Sequence, residues 1–230
     1  MTNSTQPMQI FFFGDSICFG QGVSIHKGWV TRLSAQLERL GHALGRQVTV
    51  VNSSINGNTT RQALERMPYD VQSHGLDLLL VQFGMNDCNS WQSDRGLPRV
   101  SPRGFSANLH EIIDRGIRFG AQQVIVNTNH PTLRDQAVMP DAMQPYQQAN
   151  AAYNAIIRDV AATRAGAVIL NDIERVFEEQ TGGRRDLLAR LLLPDGLHLS
   201  PAGHDIYFDR LSPLIELHVR RIAAAAALAA

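Results

Sequence analysis

The stretch Leu76-Asp77-Leu78-Leu79-Leu80-Val81-Gln82-Phe83 is apolar at nearly every position, and it runs straight into Gly84-Met85-Asn86-Asp87. A strand with one wet face alternates apolar and polar side chains. A near-continuous apolar run predicts instead a strand buried on both faces, as in a parallel sheet covered by helices. Upstream, Thr59–His74 reads as a helix with Ala63, Leu64 and Met67 inward, which Pro68 is expected to kink or end. Before it, Val48–Val51 (VTVV) is a strand. Gly28–Leu44 spaces Trp29, Leu33, Leu37, Leu40 and Leu44 by three or four residues, one face of a helix. Gln9–Phe13 (QIFFF) is the first strand and ends at Gly14.

Downstream, Asn89–Pro102 reads as a loop. A helix follows to Phe119, with Ser101 as its N-cap, Pro102 at its start and Gly120 as its stop. Gln123–Asn127 (QVIVN) is a fourth strand, Thr128–Pro145 a second long loop and Tyr146–Arg164 a helix. Ala167–Leu170 is a short fifth strand. Ile173–Glu179 and Arg185–Leu193 read as helical. Pro201 starts a last helix, which Pro213 is expected to kink or divide. Strand and helix alternate throughout. The pattern predicts an α/β fold with a parallel sheet of about five strands and helices on both faces. Function in such a sheet gathers at the loops beyond the carboxyl ends of the strands.

The chain's 230 residues suit one domain, expected over residues 1–222 with an Ala-rich tail at 223–230. Hydrophobic residues make up 44% and charged residues 18%, which excludes intrinsic disorder of the whole. Basic and acidic residues balance at 21 each, so no global field gathers nucleic acid or anionic lipid. Cys18 and Cys88 are too few for a disulfide framework and have no zinc spacing. No signal segment is read before the first strand, and no apolar run reaches ~18 residues, so neither export nor membrane insertion is expected. A cytoplasmic, reducing location follows as the expectation. Oligomeric state leaves no mark in the sequence.

Three strands end in polar, glycine-bearing clusters: Gly14-Asp15-Ser16, Asn52-Ser53-Ser54-Ile55-Asn56-Gly57-Asn58 and Gly84-Met85-Asn86-Asp87. Asp195-Gly196-Leu197-His198 lies before the last helix. Acyl transfer needs a nucleophilic hydroxyl, a base, a group that orients the base, and donors for an oxyanion. Ser16, at a strand-to-loop turn, supplies the hydroxyl. His198 supplies the base, because a free imidazole titrates near neutrality. Asp195, three residues earlier, can turn back to hold the imidazole N–H. The backbone N–H groups of Ser16 and Gly57 and the side-chain amide of Asn86 are candidate oxyanion donors. Each residue also has a plainer reading: Ser16 as a helix N-cap, Gly57 as a turn glycine, Asn86 as part of an Asn–Asp turn. Neither GxGxxG nor GxxxxGK[ST] follows the first strand, which argues against a nucleotide-binding protein.

The four segments together resemble the SGNH hydrolases, the GDSL esterases and lipases. Ser16 stands in GDS, Gly57 in SINGNTT, Asn86 in GMND and His198 in DGLHLSPAGH, in the family's order. The likeness runs from Ile10 to about His204. The Gly28-Trp29 pair and the DGLHLSPAG block are similar to the isoamyl-acetate-hydrolysing branch and to small bacterial esterases. Ile17 replaces the leucine of the family label and conserves its apolarity. The resemblance implies Ser16 as nucleophile, His198 as base, Asp195 as orienting acid, and an oxyanion hole of Ser16, Gly57 and Asn86. It implies neither metal nor cofactor, and a flavodoxin-like three-layer α/β/α sandwich. A 2-1-3-4-5 strand order goes with that sandwich.

Further expectations follow. Asp15 is read as a buried structural acid bonding the loop backbone. His26, His42, His74, His110 and His218 are read as surface residues, and His204 as capping or packing locally. His130, after the fourth strand, is the candidate substrate contact. Cys18 and Cys88 are read as small buried hydrophobes or, more sharply, as thiols facing each other at the mouth of the site. Trp91, Leu97, Leu133, Val138, Met139 and Met143, in the two long loops, are expected to form a pocket. The substrate is expected to be a small-molecule or carbohydrate ester with a short acyl group, acetyl above all. The alternatives are lysophospholipid or thioester cleavage, acyl transfer to an alcohol, and a non-catalytic carbohydrate-binding module.

Overall fold

A computed structural model describes residues 7–136, 141–142 and 144–228. Five strands form one sheet: β1 (Met8–Gly14), β2 (Val48–Asn52), β3 (Leu78–Gln82), β4 (Gln123–Asn127) and β5 (Val168–Asn171). Their spatial order is β2-β1-β3-β4-β5, and every pairing is parallel. The helices are α1 (Ser16–Phe19), α2 (Trp29–Ala43), α3 (Thr60–Asp70), α4 (Pro102–Arg118), α5 (Tyr146–Thr163), α6 (Ile173–Thr181), α7 (Arg185–Leu191) and α8 (Pro201–Leu228).

Strand side chains alternate between faces, so each strand divides its residues between two cores. Ile10, Phe12, Leu78, Leu80 and Ile125 face one layer, with Trp29, Leu33 and Leu37 of α2, Phe177 of α6, and Tyr207, Leu211 and Ile215 of α8. Phe11, Phe13, Leu79, Val81, Val124 and Val126 face the other, with Met67 of α3, Phe105, Leu109 and Ile113 of α4, and Tyr153 and Ile157 of α5. All five residues of β3 are buried, as its unbroken apolar run predicts.

The register aligns the strand ends that carry the chemistry. Gly14 of β1 sits opposite Gln82 of β3. The segments after these two strands therefore emerge side by side at the switch point of the sheet. Beneath them runs a ladder of buried amides. Asn171 donates to Asn127 at 2.8 Å, Asn127 to Gln82 at 2.9 Å, and Gln82 to Asn129 at 2.7 Å. Each amide satisfies the next, which makes this polar layer tolerable inside the protein.

Local signals act largely as expected. Ser101 Oγ accepts the Gly104 N–H and Pro102 opens α4. Thr59 and Gln62 close a capping box on α3, which ends two residues beyond Pro68. Two expectations shift. The fifth strand begins at Val168, so Asn171 joins the amide ladder. Pro213 does not divide α8, which continues through the Ala-rich segment to Leu228. Pro213 and Asp209, whose carbonyl it leaves unpaired, are both exposed, so water can serve that carbonyl. Among the described residues no helix is long and apolar enough to cross a membrane.

Candidate active site

Ser16 is the first residue of α1. Asp15 caps this short helix: its Oδ1 accepts the Ile17 N–H at 3.0 Å. The Trp29 indole N–H donates to the Ile17 carbonyl at 2.9 Å, and its ring packs against Phe12 and Tyr207. The turn that presents Ser16 is thus fastened at both ends, and Ser16 itself is 7% exposed.

The loop before α8 folds back on itself. Leu193 N–H donates to the His198 carbonyl at 2.7 Å, and Gly196 N–H to the Leu193 carbonyl at 2.9 Å. Asp195 Oδ1 accepts the N–H groups of Leu197 and His198 at 2.9 and 3.0 Å. Its Oδ2 lies 2.5 Å from His198 Nδ1. His198 Nε2 lies 3.0 Å from Ser16 Oγ. With Nδ1–H given to a carboxylate, the lone pair on Nε2 faces the hydroxyl. Burial raises the Asp195 carboxyl, but bonds from the imidazole and the two backbone N–H groups outweigh it and hold the carboxyl below its ordinary value.

Gly57 occupies a tight turn. Asn58 N–H donates to the Ile55 carbonyl at 3.2 Å, and Gly57 has φ +77°. A turn of this type needs positive φ at its third position and does not use that residue's N–H, so Gly57 N–H is left for another acceptor. Asn86 lies on the segment after β3. Its entry requires Gly84, where a Cβ would stand 2.5 Å from Asn129 Nδ2. Asn86 Nδ2 donates to Asp15 Oδ2 at 3.3 Å.

Two arginines, not singled out by the sequence reading, brace this side. Arg66 donates to Asn58 Oδ1 at 2.7 Å and to the carbonyls of Ser53 and Gly14 at 2.7 and 3.2 Å. Arg99 donates to the Gly57 carbonyl at 2.9 Å and lies over the Trp91 ring. An arginine in a loop or on a helix face carries no local mark of such bridging.

Several expectations need correction. His130 is completely buried and does not line a pocket. Its Nε2 meets the Leu197 carbonyl at 2.8 Å and its Nδ1 the Tyr207 hydroxyl at 3.0 Å, while Phe177 stacks on its ring. With both nitrogens engaged and no open surface, it supports the His198 loop from beneath and does not touch substrate. Burial pushes its pKa down to about 4, so it does so as the neutral ring. His204 is also buried, and its Nδ1 accepts the Trp29 N–H, a partner 175 residues away and not a local one. His218 is buried on the inner face of α8, not at the surface. Cys18 and Cys88 are free and buried, but they belong to the two different cores and do not face each other. Burial raises both thiols above their ordinary values, the opposite of what reactivity needs. Trp91 and Leu97 are exposed and Leu133 is half-buried. Val138, Met139 and Met143 lie outside the described residues.

Asp87 is buried under the site. Its Oδ1 accepts the N–H and hydroxyl of Thr60 at 2.9 and 2.5 Å, while its Oδ2 has no partner. Burial raises its pKa to about 6, against the lowering effect of Thr60 and Arg99. The fold therefore favours the neutral acid. That contribution is complete below the unfolded value of 3.8 and is lost as pH rises through 6. Asp87→Asn keeps an oxygen for Thr60 and is neutral at every pH. It is expected to unfold at higher urea than the wild type at pH 8, by about 3 kcal/mol, with the gap closing toward pH 4. A gap of constant size across that range would refute the assignment.

The profile of the GDSL-like Lipase/Acylhydrolase family matches residues 12–206. The chain belongs to that family. It is a carboxylic ester hydrolase of the GDSL type. An arylesterase from Vibrio mimicus is 33% identical over 123 residues, covering 54% of this chain and 56% of that protein. The isoamyl acetate-hydrolyzing esterase 1 homolog of Bos taurus is 28% identical over 226 residues, covering 92% and 82%. Axe2, an acetylxylan esterase from Geobacillus stearothermophilus, shares the fold: TM-score 0.71 at 20% identity, over 94% of this chain and 96% of that one.

Proposed function

We propose that this GDSL hydrolase cleaves short-chain esters, acetyl esters above all, of a small molecule or carbohydrate through an acyl-enzyme on Ser16. The unbroken line from Ser16 Oγ to His198 Nε2 at 3.0 Å, and from His198 Nδ1 to Asp195 Oδ2 at 2.5 Å, carries this reading. His198 Nε2 takes the Ser16 proton as Oγ attacks the ester carbonyl. Asp195 holds the ring in the tautomer this requires and stabilises the imidazolium. The N–H groups of Ser16 and Gly57 and the Asn86 amide receive the oxyanion. The imidazolium then protonates the leaving alcohol, and water, deprotonated by the same nitrogen, releases the acid.

The support for a small acyl group is that one relative is named for acetate ester hydrolysis. The chain's zero net charge favours a neutral ester over nucleic acid or a membrane surface. The two free, buried thiols suit a reducing cytoplasm.

A series of 4-nitrophenyl esters from acetate to decanoate, run beside acetylated xylooligosaccharides, tests the substrate class. kcat/KM is expected to peak at acetate and fall with chain length. A maximum at eight carbons or more would overturn the short-acyl reading in favour of lysophospholipid or thioester cleavage. Product analysis with added alcohols separates hydrolysis from acyl transfer. Failure of a serine-directed phosphonate to label Ser16 would leave a non-catalytic binding module as the better account.

A further inference from the structure

Asp15 adjoins the proposed nucleophile but reaches no solvent. It cannot touch substrate. As a helix cap alone it is a costly choice, because a serine caps about as well and brings no charge into the core. Burial, with the nearby Asp87 adding to it and the Ile17 N–H working against it, pushes its pKa up to about 7, which measures how unwelcome that charge is. A second task is visible in the geometry. Oδ1 holds the Ile17 N–H at 3.0 Å, while Oδ2 accepts one N–H of Asn86 at 3.3 Å.

We infer that Asp15 is a positioning residue that aims the Asn86 amide at the oxyanion site. The terminal torsion of an asparagine side chain is broad and nearly two-fold, so rotation readily exchanges its oxygen and nitrogen. An amide turned the wrong way presents an oxygen to the developing oxyanion and repels it. In its ionised form the Asp15 carboxylate only accepts, so it selects the NH₂ end of Asn86 and engages one of its two hydrogens. The other hydrogen is left to the substrate oxygen. The same carboxylate caps α1, whose first residue is Ser16, so one buried group sets nucleophile and oxyanion donor in a common frame. This inference rests on the esterase reading of Ser16 and Asn86.

The test is a double-mutant cycle with 4-nitrophenyl acetate. Asp15→Ser retains an oxygen for the Ile17 N–H but is too short to reach Asn86. It is expected to lower kcat ~10- to 100-fold, with KM within about threefold of wild type and a melting temperature no lower than that of the wild type. Asn86→Ala is expected to lower kcat by about 10²–10³. The double variant should be no slower than Asn86→Ala alone, because Asp15 acts only through that amide. If Asp15 is merely a cap, Asp15→Ser will keep wild-type kcat, or the two losses will multiply; either result overturns the inference. Asp15→Asn covers the case in which Asp15→Ser does not fold. It keeps the shape and the cap oxygen but turns a donor toward Asn86, and wild-type kcat in that variant would also overturn it. Ser16→Ala separates the two levels of the argument. If it remains active, the esterase reading of the site fails and the inference falls with it. If it is inactive and Asn86→Ala is impaired while Asp15→Ser is not, only the role of Asp15 fails.

Discussion

Ser16→Ala is expected to fold as the wild type does and to lose about 10⁴–10⁶ in kcat toward 4-nitrophenyl acetate. The fold does not depend on the hydroxyl. Asp15, not Ser16, caps α1, and the Ser16 hydroxyl meets His198 Nε2 at 3.0 Å. Alanine is also the better helix former at the first position of α1, so the melting temperature should hold or rise slightly. The proposed chemistry, by contrast, loses its attacking atom. His198→Ala should cost a similar factor, because a hydroxyl without its base is a poor nucleophile. The double variant should be no slower than either single one, since the two groups work as one unit. Steady-state kinetics and a thermal melt on all three variants check this. Activity of Ser16→Ala within tenfold of wild type would remove Ser16 from the reaction.

Asp195→Asn is expected to lower kcat by about 10²–10⁴ without unfolding the loop. The substitution is nearly isosteric, and an asparagine oxygen can still accept the N–H groups of Leu197 and His198, which Oδ1 now holds. What changes is the group opposite His198 Nδ1. An amide NH₂ there favours an unprotonated Nδ1 and puts the proton on Nε2, where it faces Ser16 and cannot accept one. The Asp195 side chain is 41% exposed, so water partly replaces the lost carboxylate, and the effect should fall below that of Ser16→Ala. Wild-type kcat in this variant, with the fold intact, would show that the bond from Nδ1 to Asp195 does not matter for turnover.

The course of the chain was legible because its determinants are local. The apolar run of β3, the three- and four-residue spacing on α2 and the cap at Ser101 each depend on neighbours a few residues away. The likeness of the four blocks to a known family reached further and named Ser16, Asp195 and His198, which hydrogen-bond in sequence, and Asn86, which bonds to Asp15 beside the serine. The misreadings share one cause. His130, His204 and His218 are single polar letters, and whether such a residue is buried depends on which layer its helix or loop meets. Cys18 and Cys88 are the small buried hydrophobes expected of them, and only the sharper reading, of thiols facing each other, fails, because the sheet assigns them to separate cores. Pro213 was a fair signal for a break, and an exposed helix face made it harmless.

From the sequence alone came the alternation of strand and helix, the parallel sheet, and the segments that carry a hydroxyl, an amide and an imidazole. Those follow from periodicity and turn chemistry, which act over a turn or two of backbone. The tertiary structure decided how far apart these groups stand and what else holds them. Ser16 and His198 meet across 182 residues of chain, and Asp15 and Asn86 across 71. No local preference encodes such contacts, because they exist only once two cores have closed on the sheet and brought distant loops to one edge.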